Sequence, residues 1–222
     1  MYHWGLMVTH TQQQASFELI DTGRGPYRES LAQQHRLVEQ RRQGEIADVV
    51  LLAEHFPVIT RGARKTANVL LADPATLAAQ GIDVVDIRRG GGTTAHNPGQ
   101  LVIYPIFNLR ERRLGIGDYI ATLETIGIQL LRGLGVVSER KKGLPGLWVG
   151  DKKIASIGVR ISRQITYHGM AINIHNDLQI FDFLVPCGLQ GVEMTSLEEE
   201  VGATPTMENI NEKIEILLRD HF

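Results

Sequence analysis

Residues 147–174 have the sequence LWVGDKKIASIGVRISRQITYHGMAINI, and this stretch decides the fold class. It holds three runs rich in β-branched and apolar residues, 147–149, 153–161 and 165–174, joined by short turns, which predicts three strands. Because no helix fits between them, the chain does not follow the strict strand–helix alternation of a Rossmann fold. The stretch favours a mixed sheet with helices packed on it.

Further strands are predicted on the N-terminal side of this stretch. Residues 49–52, 58–60 and 84–87 are β-branched runs bounded by Gly, Pro, Asp or charged residues. Residues 101–106, LVIYPI, predict a buried strand. Since proline has no N–H to donate, Pro105 predicts that this strand lies at a sheet edge or ends there.

Three helices are predicted around these strands. Residues 29–43 contain no Gly or Pro and many helix formers, and Gly44 follows as a stop signal. A second helix begins near Asp118 and stops at Gly133 or Gly135. A third follows Thr204, the predicted N-cap, with Pro205 in its first turn. Its apolar face is formed by Met207, Ile210, Ile214, Leu217 and Leu218. The predicted fold class is α/β of the α+β type, with a mixed β-sheet flanked by helices.

Composition limits the classes of protein that this chain belongs to. Its 222 residues, 43% of them apolar and 22% charged, suit one globular domain, predicted over residues 1–222. The net charge of −2 gives no overall basic field for nucleic acid, and no apolar run approaches the roughly 18 residues of a membrane helix. One cysteine allows no intramolecular disulfide, and residues 1–7 lack the features of a signal peptide. We therefore expect a cytoplasmic protein.

A glycine loop precedes the 101–106 strand, with the sequence RRGGGTTAHNPGQ at residues 88–100. Three consecutive glycines let a backbone approach a ligand closely, and successive N–H groups can bind an anion or oxyanion. No Gly-Lys-Ser/Thr string follows, so the loop is not a P-loop. A flexible hairpin turn is the alternative interpretation. The flanking Arg89, His96 and Gln100 favour a ligand-binding loop.

A lysine marks the start of the 153–161 strand, in the string GDKKIASIGVR at residues 150–160. Lys152 is expected to be solvated. Counting by two places Lys153 on the face of Ala155, Ile157 and Val159. If that face is interior, the amine is partly desolvated, and a lysine in that setting can act as a base or pair with a thiolate.

The single cysteine lies between Pro186 and Gly188, which predicts a tight bend with little side-chain cover. A lone cysteine is more often a buried apolar residue, but such a bend suits a nucleophile. The thiol must become a thiolate, and the candidate partners are Lys153, His96 and His168. Scattered histidines and one cysteine predict no metal site, and no cofactor is expected.

These segments together resemble the lipoyl(octanoyl) transferase family. The shared strings occur in the family's order over about residues 50–197: Arg89-Gly90-Gly91, His96, Pro98-Gly99-Gln100-Leu101, Lys153-Ile154-Ala155-Ser156-Ile157-Gly158, His168-Gly169 and Pro186-Cys187-Gly188. The resemblance implies the fold of the biotin and lipoate protein ligase catalytic domain, with Cys187 carrying the acyl group and Lys153 as its partner. It also implies the substrate-binding residues Arg89, Gly90, Gly91, Gly92, Thr93, Thr94, Ala95, His96, Ser156, Ile157, Gly158, His168, Gly169, Met170 and Ala171.

The resemblance further implies an acyltransferase reaction. Octanoyl-acyl carrier protein would be the donor, and the acceptors would be lipoyl domains of 2-oxoacid dehydrogenases and the glycine cleavage H protein, with neither nucleic acid nor membrane as a partner. Three alternatives stay open: an ATP-dependent lipoate or biotin ligase, an acyl shuttle between lipoyl proteins, and an inactive module that binds carrier protein. Arginines that would steer the acidic partners are Arg88, Arg110, Arg112, Arg113 and Arg163.

One part of the glycine loop departs from the family. Family members carry an aromatic residue and a glycine on either side of the loop histidine, where this chain has Ala95 and Asn97. The loss of the aromatic ring is expected to widen the acyl channel. Asn97 is expected to take the left-handed conformation of the missing glycine.

Overall fold

The computed structural model describes residues 17–222 and, for Cys187, the backbone alone. The prediction about a signal peptide at residues 1–7 therefore lies outside the described residues. The described strands, in chain order, are β1 (Phe17–Gly25), β2 (Asp48–His55), β3 (Val58–Arg61), β4 (Asp83–Asp86), β5 (Thr94–His96), β6 (Gln100–Ile106), β7 (Glu139–Lys141), β8 (Leu144–Val149), β9 (Lys152–Ser162) and β10 (Ile165–Asn173). The α-helices are α1 (Tyr27–Gln43), α2 (Pro74–Ala79), α3 (Ile116–Gly133), α4 (Leu197–Val201) and α5 (Met207–His221).

Seven strands form one mixed sheet in the order β1-β2-β6-β10-β9-β8-β7. β1 pairs with β2 in parallel, whereas the other neighbours pair antiparallel. The predicted stretch 147–174 supplies β8, β9 and β10, which lie side by side as two consecutive hairpins. The predicted mixed sheet is confirmed.

A second, smaller sheet carries part of the glycine loop. β3 lies between β4, its parallel partner, and β5, its antiparallel partner. β5 is only three residues long and begins two residues after Gly92. It therefore connects the three glycines of the loop, through the small sheet, with β6.

Helices cover the two faces of the large sheet because their apolar residues recur at helical spacing. Leu101 and Ile103 of β6 belong to the core that α3 and α5 close, whereas Val102 and Tyr104 point to the α1 side. α1 ends at Gly44, as predicted, with φ of 76° in the left-handed region. No helix in residues 17–222 combines the length and apolar character needed to cross a membrane.

The predictions about the boundaries of two elements have different outcomes. β6 is an interior strand between β2 and β10, so Pro105 does not mark a sheet edge, but the strand ends at Ile106, one residue after Pro105, as the other alternative predicted. The sheet accommodates it because pairing of β10 with β6 stops at Ile103, so β6 needs no N–H donor there on that side. The last helix begins at Met207, and its N-cap is Thr206, whose hydroxyl accepts from the N–H of Asn209, rather than Thr204.

Candidate active site

A cavity, here called the histidine cavity, opens between the glycine loop, β9 and β10. The structure brings most of the predicted substrate-binding residues together in its wall: Arg89, Gly90, Gly91, Thr94, His96, Ser156, Ile157, Gly158, His168, Gly169, Met170 and Ala171. Gly169 allows the strands to approach closely there, because a Cβ at this position would lie 2.0 Å from the carbonyl oxygen of Ile103.

Arg89 is buried beside this cavity and is held by the small sheet. Its Nη2 donates to the carbonyl oxygen and to the hydroxyl of Thr60, at 3.0 and 2.9 Å, and its Nη1 donates to the carbonyl oxygen of Gly90. These bonds fix the guanidinium against its own loop. Arg89 therefore ties the glycine loop to β3.

A chain of hydrogen bonds orients His96 and connects it with the backbone of Lys153. Nδ1 of His96 lies 2.7 Å from Oε1 of Gln100, whose Nε2 donates to Oδ1 of Asn173. Nδ2 of Asn173 donates to the carbonyl oxygen of Thr195, and the N–H of Thr195 donates to the carbonyl oxygen of Lys153. Because the amide oxygen of Gln100 only accepts, Nδ1 of His96 carries the proton and Nε2 is left as an acceptor.

The histidines of the site are neutral at physiological pH. Burial, with a smaller contribution from the neighbouring His55, lowers the pKa of His96 to about 3. Burial, with a contribution from Arg89, lowers the pKa of His168 to about 3. The pKa of His55 falls to about 4, again because of burial. A buried neutral imidazole acts here as a hydrogen-bonding and packing group rather than as a cation.

His168 has a strained backbone in the wall of the cavity. Its φ is 55°, although it lies within β10 and is not glycine. Its N–H donates to Oε1 of Gln34 on α1, at 2.9 Å, which holds this conformation in place. Non-glycine residues in this region cost about 1–3 kcal/mol and tend to cluster at functional sites.

Lys153 is almost completely buried, with 1% of its surface exposed. Its Nζ donates to the carbonyl oxygen of Pro145, at 2.9 Å, and lies 5.2 Å from the ring centroid of Trp148. The prediction that Lys153 is interior is confirmed, and it shares the wall of one cavity with Ile157 and Val159, as the count by two predicted. The pairing of β8 with β9 shifts register between Leu147 and Trp148 and leaves Ile154 without a partner in β8.

Lys153 lines a second cavity, here called the lysine cavity. Most of its other side chains are apolar: Ile120, Leu144, Pro145, Ile157, Val159 and Leu189. Gly90, Gly91, Ile157 and Gly158 belong to the walls of both cavities. The two cavities therefore share one wall, in which three of the four residues are glycine.

The cysteine lies on a single turn of 3-10 helix, Pro186–Gly188, as the predicted tight bend requires. Gly188 has φ of 72°, and a Cβ there would lie 2.6 Å from the Cβ of Ala67. The chain then leads through Leu189, in the wall of the lysine cavity, to residues 193–195, which flank Lys153. The N–H of Lys153 donates to the carbonyl oxygen of Glu193 at 2.8 Å. The turn that carries Cys187 and the strand that carries Lys153 thus border one cavity.

The glycines of the loop have different roles. Gly90 and Gly91 line both cavities, but Gly92 packs against Ala67, whose carbonyl oxygen would lie 2.2 Å from an added Cβ. Thr93 donates its N–H to that same oxygen, at 3.2 Å. Gly92, Thr93 and Ala95 were predicted to bind substrate, but the structure places none of them in the wall of either cavity.

Both expectations about the departure from the family loop are wrong. Ala95 faces away from the histidine cavity and packs with Ile59, Leu77 and Phe181, so the loss of an aromatic ring here does not widen the channel. Asn97 does not take a left-handed conformation. Its Nδ2 instead donates to the carbonyl oxygen of Asp177, at 2.7 Å.

The arginines predicted to steer partners are mostly elsewhere. Arg110, Arg112 and Arg113 follow the end of β6 that lies away from Gln100, and Arg163 lies in the β9–β10 turn. Arg112 is buried and pairs with Asp48, which makes it a structural cation. Arg88 alone among the five belongs to the glycine loop.

Sequence reasoning missed three residues of the histidine cavity: Tyr27, Val102 and Tyr104. Tyr27 stacks on His96, with ring centroids 5.7 Å apart and planes 6° from parallel. The hydroxyl of Tyr104 lies 2.7 Å from Nε2 of His55. Burial holds the pKa of both phenols above the usual range, so they remain neutral. The sequence signal that could have found Tyr27 is its spacing from Ser30 and Gln34, which places the three residues on one face of α1.

Comparison with known structures first defines the fold. The fold is that of lipoate and biotin protein ligases. A bipartite lipoate protein ligase from Thermoplasma acidophilum matches with a TM-score of 0.67 at 13% identity, over 94% of this chain and 83% of that one. Biotin protein ligase from Aquifex aeolicus matches with a TM-score of 0.52 at 14% identity, over 92% of this chain and 68% of that one.

Sequence comparison then defines the family. Residues 26–217 match the lipoyl protein ligase A/B catalytic domain, and the chain belongs to this family. Relatives named octanoyltransferase include that of Chloroflexus aurantiacus, 45% identical over 82% of each chain. The octanoyltransferase of Syntrophobacter fumaroxidans is 40% identical over 92% of this chain and 90% of its own.

Proposed function

We propose that this protein is an acyltransferase that moves an octanoyl group from octanoyl-acyl carrier protein, through a thioester on Cys187, to a lysine of lipoyl domains. The acceptors would include 2-oxoacid dehydrogenases and the glycine cleavage H protein. The observation that carries the proposal is the buried amine of Lys153 in a mostly apolar cavity, bordered by Leu189 two residues beyond Cys187. The relatives named octanoyltransferase support the choice of acyl group.

In the first half-reaction the Cys187 thiolate attacks the carbonyl carbon of the donor thioester. An ordinary thiol has a pKa of about 8.5 and would be mostly neutral at pH 7, so the ammonium of Lys153 would favour the thiolate by approaching it in the shared cavity. The tetrahedral intermediate collapses by breaking the bond to the donor sulfur. Lys153 gives its proton to that sulfur, which leaves as a thiol, and the lysine becomes neutral.

In the second half-reaction the neutral ε-amine of the acceptor lysine attacks the Cys187 thioester. Neutral Lys153 accepts the proton that the new amide nitrogen loses, and Cys187 leaves as the thiolate. The thiolate and the ammonium are thereby restored together, and no external acid or base is consumed. The two groups titrate as a coupled pair.

The wall shared by the two cavities supports the acyl group in this proposal. Ile157 and the apolar residues of the lysine cavity would contact the alkyl chain. Gly90, Gly91 and Gly158 would bring backbone without side chains close to the reacting carbonyl. A backbone N–H aimed at the oxyanion is typically worth about 10²–10³ in rate.

Intact-mass measurement after mixing with octanoyl-acyl carrier protein tests the covalent step. We expect one octanoyl adduct that hydroxylamine removes and that is absent from Cys187→Ala. Free octanoate with ATP and magnesium is the control, because an acid-activating ligase would modify the lipoyl domain under those conditions. An adduct that persists in Cys187→Ala would overturn the assignment.

A further inference from the structure

A groove on the outer side of the lysine cavity is lined by four cationic side chains. We call it the basic groove. Its lining contains one acidic residue, Asp86, and the four cationic residues Arg61, Lys65, Arg88 and Arg160. Asp86 pairs with Nη2 of Arg61. Lys65 and Arg88 form no ion pair with any residue that the structure describes. The groove thus carries a net excess of positive charge.

Two guanidinium groups of the basic groove hold N–H groups without partners. Nε of Arg61 and Nε of Arg160 are buried and donate to no atom of the described residues. Arg160 is meanwhile fixed by Nη1, which donates to the carbonyl oxygen of Arg88 at 2.9 Å. Because these Nε atoms are buried, an anion in the groove would be met by the other nitrogens of the two guanidinium groups and by Lys65 and Arg88, and charge-assisted hydrogen bonds of this kind are strong.

The basic groove and the lysine cavity are the two sides of one rim. Three chain segments each give one residue to the cavity and another to the groove. The lysine cavity is lined by Arg64, Gly90 and Val159, and the basic groove by their near neighbours Lys65, Arg88 and Arg160. The rim is held together by the N–H of Arg64 donating to the carbonyl oxygen of Gly91 and the N–H of Gly90 donating to that of Val159. A flexible arm that left the cavity over this rim would reach the groove.

We infer that the basic groove binds the phosphodiester at the base of the donor's phosphopantetheine arm. This inference rests on the proposed function. The donor thioester lies at the tip of an arm whose other end is an anion, whereas the acceptor lysine belongs to a polypeptide and carries no phosphate. The groove thus distinguishes the two substrates that share one reaction centre, and it acts on the first half-reaction.

Two small donors test the inference: octanoyl-4′-phosphopantetheine and octanoyl-pantetheine, with the rate of Cys187 acylation followed by intact mass. We expect the wild-type protein to prefer the phosphorylated donor by about tenfold in kcat/KM, since charge-assisted bonds to a partly exposed anion give gains of this order. Lys65→Gln/Arg88→Gln should lose most of this preference. Arg132→Gln/Lys213→Gln, which removes two exposed charges from α3 and α5, should keep it.

The other outcomes overturn the inference in distinguishable ways. Equal rates with the two donors would show that the groove does not bind the phosphate. A charge dependence seen only with intact carrier protein would assign the groove to the carrier's acidic surface. Equal slowing of acylation and of transfer from preformed acyl-enzyme in Lys65→Gln/Arg88→Gln would show that it does not separate the substrates. Acylation by none of the donors would overturn the proposed function itself.

Discussion

Gly92→Ala should slow acylation of Cys187 without unfolding the protein. Gly92 has an ordinary φ, so its backbone conformation accepts alanine, but the new Cβ would lie 2.2 Å from the carbonyl oxygen of Ala67 and 2.5 Å from its Cβ. Ordinary contact begins at 3.4 Å, so the two backbones must separate by about 1.2 Å. This movement would stretch the 3.2 Å bond from the N–H of Thr93 to the same oxygen.

The displacement is expected to reach the neighbouring Gly91, which lines both cavities. A misplacement of about 1 Å in a positioning segment can cost about 10² in rate, whereas overpacking costs about 1–3 kcal/mol in stability. We therefore expect kcat/KM for acylation to fall about a hundredfold, with a folded protein by circular dichroism and a lower Tm. Gly117→Ala is the matched control, because its Cβ meets nothing within 4 Å. If Gly92→Ala is acylated within about threefold of Gly117→Ala, the steric argument is refuted.

Three further predictions concern Lys153 and Cys187, the buried His96, and Ala95 of the glycine loop. Lys153→Arg should keep much of the iodoacetamide reactivity of Cys187 but lose transfer to the lipoyl domain, because arginine keeps the charge and exchanges no proton near neutral pH; Lys153→Ala should lose both, and a wild-type alkylation profile against pH in Lys153→Ala would make the lysine structural. His96 has a lowered pKa in the folded state, so the unfolded chain binds more protons below about pH 6.5 and the stability from its burial falls as pH falls. From pH 6.5 to 5 this amounts to about 1.6 kcal/mol, and urea unfolding of His96→Gln should show a correspondingly weaker dependence on pH. Ala95→Tyr should lower Tm through overpacking against Ile59 and leave the preference for acyl chain length unchanged; a shifted preference would mean that this position does face the channel.

The larger elements could be predicted because each leaves a local signal. The helix that became α1 had an unbroken run of helix formers and a glycine stop at Gly44, and β9 and β10 were β-branched runs with short turns. The predicted strands at 58–60 and 84–87 correspond to β3 and β4 of the small sheet. β5 and β7 were missed because they are three residues long, which is too short for periodicity to show. β1 was missed as well, although its exposed and buried residues alternate in part.

The candidate site was harder to predict because it depends on tertiary contacts. The register shift that leaves Ile154 without a partner in β8 could not be predicted, because a one-residue bulge leaves no mark in a count by two. Tyr27 enters the histidine cavity from a helix distant in sequence, so no motif around His96 could point to it. Ala95 was assigned to the channel because it is next to His96 in the sequence. Successive residues of a strand face opposite sides, however, and β5 presents His96 to one side and Ala95 to the other.

Ala67 touches both loops of the site, Gly92 on one side and Gly188 on the other. Gly188 lies near the far end of the chain, so this contact closes a long loop, whose entropy must be overcome before the contact brings any gain. We therefore expect the contacts of Ala67 with both loops to form late in folding. In the proposed mechanism, a partly folded chain would then not yet hold Cys187 near Lys153 and would not react with a thioester early.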